Sequence, residues 1–146
     1  MFRFVMVVVA ASTVAACSVL VPLSRVDAAE ARWRARGPQS YNFILEIGAL
    51  TPFTDCSPRR RIDVEVRNGR TTKFGTCTPD AKLAQRFGSV PQIFATIRED
   101  RKEHPPRYLV RFNSSLGYPE HIDANFSREM TDFVFNYYVE DFVSID

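Results

Sequence analysis

His104 and His121 are the two histidines of the chain, and they are its candidates for acid–base or metal chemistry near neutral pH. His121 lies two residues before Asp123, so the two side chains would share one face of a strand. A carboxylate beside an imidazole could orient a general base, which makes a hydrolase using His121 one hypothesis. An ordinary exposed pair on a strand is the simpler interpretation. His104 ends a predicted helix, where an imidazole typically contacts the last carbonyl groups.

Other motifs that carry chemistry are missing from the sequence. Ser114 and Ser115 lie in a predicted turn, without the Gly-x-Ser-x-Gly pattern of a serine nucleophile. The chain has neither a glycine-rich phosphate loop nor a His-Glu-x-x-His metal motif. Asp123 and Asn125 lack the further carboxylates and the glycine bend of a calcium loop. We therefore predict no catalytic residue, no metal site and no cofactor.

Cys17 has the most informative context of the three cysteines. Arg3 precedes an uncharged run from Phe4 to Ala16, which is the order of a secretory signal peptide. The run ends in Val14-Ala15-Ala16-Cys17, which resembles the lipobox of bacterial lipoproteins. This resemblance implies cleavage before Cys17 and attachment of a diacylglyceryl group to its thiol. We predict a signal peptide over residues 1–16 and a lipid anchor in the membrane at Cys17.

Two other interpretations of the N-terminus stay open. Small residues in Val26-Asp27-Ala28 could admit an ordinary signal peptidase, which would release a secreted protein that begins at Ala29. The segment from Phe4 to Leu23 is also long enough to span a bilayer without cleavage, although Pro22 interrupts it. With the lipid anchor, residues 17–28 become a tether and residues 29–146 the folded domain.

Cys56 and Cys77 then remain as an even pair in an oxidising compartment. They occur in the matching contexts Cys56-Ser57-Pro58 and Cys77-Thr78-Pro79, at the ends of two predicted strands. A bond between them would close a loop of about 20 residues and stabilise the fold by about 3 kcal/mol. Zinc would need more ligands, and a redox pair would be spaced Cys-x-x-Cys. We predict a structural disulfide.

The composition fits one globular domain with little net charge. The 146 residues are 45% hydrophobic, enough to fill one core but not two. The net charge of +2 is too small to indicate a nucleic-acid partner. Residues 30–79 hold nine basic and five acidic side chains, and residues 119–146 hold one basic and seven acidic ones. We expect these segments to pair across neighbouring strands, and the alternative is a basic surface at Arg59-Arg60-Arg61 for an anionic partner.

Hydrophobic spacing predicts two helices and six strands. Residues 61–67 alternate charged and apolar side chains, and a three-residue loop over Arg67-Asn68-Gly69 would place Phe74 opposite Ile62. Ser89 is the predicted cap of the second helix. The predicted elements are a helix over 28–36, strands over 41–50, 59–67 and the residues up to 74, a helix over 89–104, and strands over 108–112, 121–125 and 132–145. This order, α-β-β-β-α-β-β-β, predicts one α+β domain whose antiparallel sheet is covered by an amphipathic helix.

Several landmark residues and motifs follow one another along the chain in a characteristic order. They are Trp33, expected to dock the first helix onto the sheet, Tyr41, Cys56, the segment Val64–Gly69, the helical stripe Val90, Ile93, Phe94 and Ile97, the turn Gly117-Tyr118-Pro119, Ile122 and Asp132. Over about Trp33 to Phe142, this order resembles the bacterial exported-protein family curated as domain of unknown function 6174. The resemblance implies an envelope location, frequently as a lipoprotein, and a compact α+β fold, and it supplies no catalytic residue.

We therefore expect a non-catalytic, lipid-anchored protein of the bacterial cell envelope, facing the periplasm or the exterior. Its partners would be the membrane, through Cys17, and an unidentified envelope component. A secreted inhibitor or ligand-binding module with cystatin-like architecture is the alternative, and a hydrolase using His121 is a weaker one. A filled core with a flat open face would favour the lipid-anchored envelope protein. A cavity between helix and sheet would favour the inhibitor or ligand-binding module. A pocket joining His121 to a nucleophile would favour the hydrolase.

Overall fold

The computed structural model describes residues 19–48, 61–75, 81–127 and 134–145. They form one α+β domain, a seven-stranded sheet with three helices, which confirms the predicted class. In chain order the elements are β1 (Val19–Leu20), α1 (Leu23–Arg36), β2 (Tyr41–Gly48), β3 (Arg61–Arg67), β4 (Arg70–Phe74), α2 (Ala81–Phe87), α3 (Val90–Lys102), β5 (Arg107–Phe112), β6 (Pro119–Asn125) and β7 (Val134–Ser144).

The strands lie in the order β1-β5-β6-β7-β2-β3-β4, so the last strand of the chain pairs with the first long one near the centre of the sheet. All neighbours are antiparallel except β1 and β5, which are parallel. The sequence predicts a purely antiparallel sheet without β1 and α2, and these details are wrong. β1 is two residues long and α2 seven, so neither shows enough repeats of its period to be recognised.

One face of the sheet forms the core beneath α1 and α3. Alternate residues of the strands point to this face and are buried. In β2 these are Tyr41, Phe43, Leu45 and Ile47. The predicted apolar stripe of α3 packs into the same core, and each of its side chains is at most 1% exposed: Val90, Ile93, Phe94 and Ile97. The core expected from the sequence is therefore present in the part of the chain that the structure describes.

Trp33 docks α1 onto this core, as expected. Its ring meets the rings of Tyr41, Tyr118 and Phe142 edge-on, at centroid distances of 5.3, 6.4 and 5.9 Å. Edge-to-face pairs of this kind contribute about 0.5–1.5 kcal/mol each beyond the burial of area. Because Phe142 belongs to β7, this packing joins the first helix to the last strand.

The tether predicted over residues 17–28 is wrong for its described part, residues 19–28. The first two of these residues pair with β5 as β1, and α1 begins at Leu23, five residues earlier than predicted. Val21 and Val26 are buried, at 3% and 0% exposure. One side of α1 is buried at intervals of three and four residues, and this period continues N-terminal of the predicted start. The folded domain therefore begins almost directly after the predicted anchor.

The β3–β4 hairpin has a tighter turn than the sequence predicts. Asn68 and Gly69 both have positive φ, +50° and +73°, and form a two-residue turn of the kind that matches strand twist. A bulge beyond the turn shifts the register and places Phe74 opposite Val64, whereas the predicted three-residue loop places it opposite Ile62. The predicted register is wrong, yet Phe74 is buried as expected, because the bulge supplies the extra residue.

The start of α3 is confirmed at Ser89, whose hydroxyl oxygen accepts the N–H of Gln92 at 3.5 Å. The hydroxyl oxygen of Tyr41 accepts the N–H of Val90 at 3.0 Å, so a strand side chain satisfies a second free amide of the first turn. His104 follows the helix with a φ of +50°, and its backbone N–H closes the last turn. Its imidazole is exposed, so the predicted contact with the helix end is made by its backbone instead.

Candidate functional site

The sheet face opposite the helices is open, and we refer to it as the open face. Among the side chains that the structure describes on it, none is buried and no helix packs there. Cations and carboxylates alternate across this surface. The cations are Arg61, Arg67, Lys73, Arg107 and Arg111, and the carboxylates are Glu46, Asp63, Glu65, Asp123 and Glu140. A surface with both signs of charge cannot attract a uniform polyanion or polycation strongly.

A row of polar side chains crosses the centre of the open face. Strand pairing places these residues side by side, in the order Arg111, His121, Tyr138, Glu46 and Arg61. At the usual strand spacing the row is about 19 Å long. The imidazole and phenol rings in its middle stack at 4.4 Å, with their planes 8° apart. The row therefore combines a flat aromatic centre with charged ends.

His121 and Asp123 do share a face, as predicted, but they do not pair with each other. Nε2 of His121 lies 3.2 Å from Oδ1 of Asn136. The carboxylate of Asp123 instead accepts a hydrogen bond from Nε of Arg107 at 3.1 Å. In the described part of the chain no serine, threonine or cysteine hydroxyl or thiol bonds the imidazole. The geometry that a hydrolase would need at His121 is therefore not assembled by these residues.

The predicted pairing of basic and acidic segments is confirmed at Arg61. Its guanidinium lies 3.4 Å from Glu140 and 3.5 Å from Asp141, both of β7, and 4.0 Å from Glu46 of the intervening β2. The other two arginines of the predicted basic surface, residues 59 and 60, lie outside the described residues. Further along β3, hydrogen bonds from Arg67 and from a threonine hydroxyl hold the pKa of Glu65 below its ordinary value. The described charges of the open face are thus largely compensated by one another.

A second polar cluster lies inside the domain, and the sequence analysis missed it. Nη2 of Arg86 in α2 donates to both carboxylate oxygens of Asp100 in α3, at 2.6 and 2.7 Å, and the hydroxyl of Tyr108 in β5 donates to the same group at 3.0 Å. Burial raises the pKa of Asp100, against Arg86 and Tyr108, which lower it. Asp100 falls three residues after Ile97 on the buried stripe of α3, which is the signal that could have revealed it. The cluster ties three elements together and opens into no described cavity.

A shallow groove of about 290 Å³ lies on the helical side of the domain. Its carboxylate, Glu30, is already engaged by Arg34 at 2.6 Å and also by Arg98. The lining residues are Glu30, Trp33, Arg34, Gly37, Gln39, Pro91 and Phe94. This groove lies between α1 and α3, so it is not the cavity between helix and sheet that a cystatin-like ligand-binding module would need.

Three predicted site residues, Cys17, Cys56 and Cys77, lie outside the described residues. The part of the chain that the structure describes contains no group of three or more metal-binding side chains. Among the same residues, no helix combines the length and the apolar character needed to cross a membrane.

Comparison with known proteins places the chain in a family without assigning it an activity. Neither a curated protein nor a solved structure matches it. The family model described as "Family of unknown function (DUF6174)" matches residues 25–144, which is most of the chain and nearly all of the sheet and helices above. The chain therefore belongs to this family, the one that its sequence landmarks resemble.

Proposed function

We propose that this chain is a non-catalytic binding module of the bacterial cell envelope, held at a membrane by lipid on Cys17. The lipobox-like segment that ends at Cys17 supports the anchor. The observation that carries the binding function is the open face, since a sheet whose three described helices pack on one side leaves a broad surface for a partner. His121 makes its hydrogen bond to an amide rather than to a nucleophile, which supports a role in binding rather than in catalysis.

A folded protein is the partner class that the open face fits best. Anionic polymers and lipid headgroups would be repelled by its carboxylates, and polycations by its arginines. A partner protein can match both signs of charge at once, and interfaces favour tyrosine and arginine at their centres. Tyr138 stacks on His121, and this pair lies between Arg111 and Glu46, which makes Tyr138 the central residue of such an interface.

Reversing one charge on the open face should release the partner. Glu46→Lys replaces a carboxylate 4.0 Å from Arg61 and puts a cation in the central row. We expect recovery of the cross-linked partner from solubilised envelope to fall about tenfold, the effect of losing about 1.4 kcal/mol of binding free energy. Quantitative mass spectrometry of material purified with a tagged chain measures this recovery.

Glu99→Lys is the matched control, because Glu99 also forms a single surface ion pair but lies on α3, on the other side of the domain. This variant should keep the partner at the wild-type level. Cys17→Ser should lose both membrane fractionation and the partner, with the domain still folded. Equal recovery with Glu46→Lys and Glu99→Lys would refute the open face as the binding surface. Full recovery with Cys17→Ser would refute the need for the anchor.

We also propose that Cys56 and Cys77 form the predicted disulfide. The N–H of Gly75 donates to the carbonyl of Asp63 at 2.8 Å, so the chain leaves β4 beside β3. Cys77 is two residues beyond this point and Cys56 is five residues before Arg61, distances that extended chain covers within about 7 and 17 Å. A reductant should lower the melting temperature by about 10 °C, the equivalent of about 3 kcal/mol.

The control for the disulfide is the double variant Cys56→Ala/Cys77→Ala. Its melting temperature should be lower than that of the wild type and should not respond to the reductant. If the wild type is equally unresponsive, the two thiols are not bonded.

A further inference from the structure

Positive charge without a partner is concentrated on one helix of the domain. Most lysines and arginines that the structure describes form ion pairs, and Arg101 donates to the backbone carbonyl of Val21 instead. The arginines that form no ion pair or side-chain hydrogen bond with a described residue are Arg25, Arg32, Arg36 and Arg70. All of these except Arg70 belong to α1.

The unpaired arginines of α1 lie along one side of the helix. Successive residues of an α-helix are rotated by about 100° around its axis. Arg25, Arg32 and Arg36, spaced at i, i+7 and i+11, therefore lie within about 40° of one another. With a rise of about 1.5 Å per residue, they extend over about 16 Å. We refer to these residues as the arginine stripe.

The arginine stripe lies on the flank of α1 that is turned away from α3. The carboxylates of α1, Asp27 and Glu30, are on the opposite flank, where both pair with Arg98 of α3. The neighbour of the stripe is the turn between β5 and β6, since a Cβ built on Gly117 would lie 3.0 Å from the Cβ of Arg32. That turn contains no carboxylate. No described acidic side chain therefore compensates the charge of the stripe.

The position of Arg25 is unfavourable for the helix itself. Arg25 lies in the first turn of α1, where the helix dipole favours negative charge and disfavours a cation. That turn contains no acidic residue to offset this effect. The dipole favours Arg36, which lies in the last turn, but the same reason does not extend to Arg25. An anionic ligand along the whole stripe would offset the repulsion at Arg25.

Arg32 lies between the two exposed arginines of the stripe and is half-buried. Its Nε is buried and has no hydrogen-bond partner in the described part of the chain. A guanidinium carries five N–H donors in a fixed fork that matches the oxygens of a phosphate group. Arg32 therefore offers unused hydrogen-bond donors in the middle of the stripe.

We propose that the arginine stripe binds a linear polymer that carries phosphate groups along its backbone. A single row of cations matches a chain of anionic groups, whereas a flat layer of headgroups would be matched by cations spread over a surface. Two exposed alanines, Ala28 and Ala35, lie beside the row and leave room for the polymer. Phosphates along a polymer condense counterions, and arginines that replace these ions gain affinity from their release.

This inference goes beyond the proposed function, because it assigns a second binding surface on the helical side of the sheet. It rests on the envelope location proposed above only for the source of the polymer. A domain occupied at both surfaces joins the polymer to the protein bound at the open face.

Fluorescence anisotropy of labelled poly(glycerol phosphate), titrated with the full chain in detergent, tests this binding. Arg25→Gln/Arg36→Gln removes two exposed cations, and glutamine and arginine are similar helix formers, so the helix should remain intact. We expect the double variant to bind the polymer about tenfold more weakly than the wild type. The slope of log Kd against log salt should also be smaller by about 2, since two phosphate contacts are lost.

Arg34→Gln/Arg70→Gln is the matched control, because it lowers the net charge by the same amount. Arg34 lies on the α3 side of α1, where it pairs with Glu30 at 2.6 Å, and Arg70 lies in β4. This variant should bind the polymer nearly as tightly as the wild type. Equal weakening by the two double variants would mean that binding depends on net charge alone, which overturns the stripe as the site.

Three further results would also contradict the proposal. They are a wild-type chain that does not bind the polymer, binding that does not respond to salt, and complete displacement of the polymer by phosphatidylglycerol in the micelles at equal phosphate concentration. The last result would assign the stripe to a headgroup layer instead. Since the assay contains no partner protein, its outcome does not depend on whether the open face binds one.

Discussion

Gly117→Ala is expected to destabilise the domain by about 4 kcal/mol, from backbone strain and overpacking together. Gly117 has a φ of +88°, a conformation that side chains with a Cβ rarely adopt. A Cβ built on it would lie 2.2 Å from the carbonyl oxygen of Ala29 and 3.0 Å from the Cβ of Arg32. Both contacts belong to α1, so the turn between β5 and β6 could accept alanine only by moving away from that helix.

Gly69→Ala separates the two causes of this loss. Gly69 also has a positive φ, +73°, but a Cβ there would find its nearest neighbour at 3.5 Å, the flexible side chain of Gln39. It should therefore cost only the strain, about 1 kcal/mol. Urea denaturation of the two variants and the wild type gives the free energies of unfolding. Equal losses for Gly117→Ala and Gly69→Ala would show that the turn does not press on α1 as the structure has it.

The parts of the fold that the sequence predicts correctly are those with several repeats of one period. β2 alternates buried residues with exposed or half-buried ones over its eight positions, and α3 combines a serine cap with an apolar stripe that runs for about two turns. Each repeat adds an independent indication, so a pattern of this length outweighs the ambiguity of any single residue.

The wrongly predicted parts of the fold are those whose conformation is determined by tertiary contacts rather than by the local sequence. β1 forms because its backbone pairs with the edge of β5. Two residues are too few to show the alternation by which a strand is recognised in a sequence. The hairpin register depends on a bulge, and sequence alone does not show whether an extra residue is placed in the turn or in the strand. The early start of α1 depends on burial of Val26 in the core, and on Val21 just before the helix, whose N–H donates to the carbonyl of the distant Tyr108 at 2.7 Å.

The candidate site likewise has some features that the sequence predicts and others that depend on the tertiary structure. The shared face of His121 and Asp123 follows from strand periodicity and could be predicted. Three contacts of the site depend on β7 pairing with both β6 and β2. They are the stacking of His121 on Tyr138, the hydrogen bond between His121 and Asn136, and the ion pair that Arg61 forms across β2 with Glu140. No local pattern predicts that β7, the last strand, lies between β6 and β2, so the central row became visible only with the topology.

Alkaline pH is expected to unfold the domain steeply between pH 10 and 12, because buried tyrosines resist ionisation. Burial raises the pKa of Tyr41 to about 12, although the N–H of Val90 that its oxygen accepts lowers it. Burial, reinforced by the charge of Asp100 and the hydrogen bond to it, raises the pKa of Tyr108 further. Burial also raises the pKa of Tyr137. All three hydroxyl groups stay protonated in the folded protein at pH values at which the tyrosines of the unfolded chain are ionised.

The sign of the pH dependence follows from proton counting. Below pH 10 tyrosines are protonated in both states, so their contribution to stability is complete. Above pH 10 the unfolded chain binds fewer protons than the folded one, and stability falls by up to about 1.4 kcal/mol per pH unit for each such tyrosine. Tyr41 and Tyr108 alone remove about 5 kcal/mol by pH 12, as much as the whole stability of many domains.

Free energies of unfolding from urea titrations at several values between pH 9 and 11.5 measure this slope, and Tyr41→Phe supplies the control. The variant removes one titrating group, so its slope between pH 10 and 11.5 should be shallower by about 1 kcal/mol per pH unit, even though loss of the hydroxyl lowers its stability at neutral pH. Lysines and all other titrating groups shared by the two proteins contribute equally to both slopes, so their contributions cancel when one slope is subtracted from the other. Parallel slopes for wild type and Tyr41→Phe would mean that Tyr41 ionises as readily in the fold as in the unfolded chain, contrary to its burial against the first turn of α3.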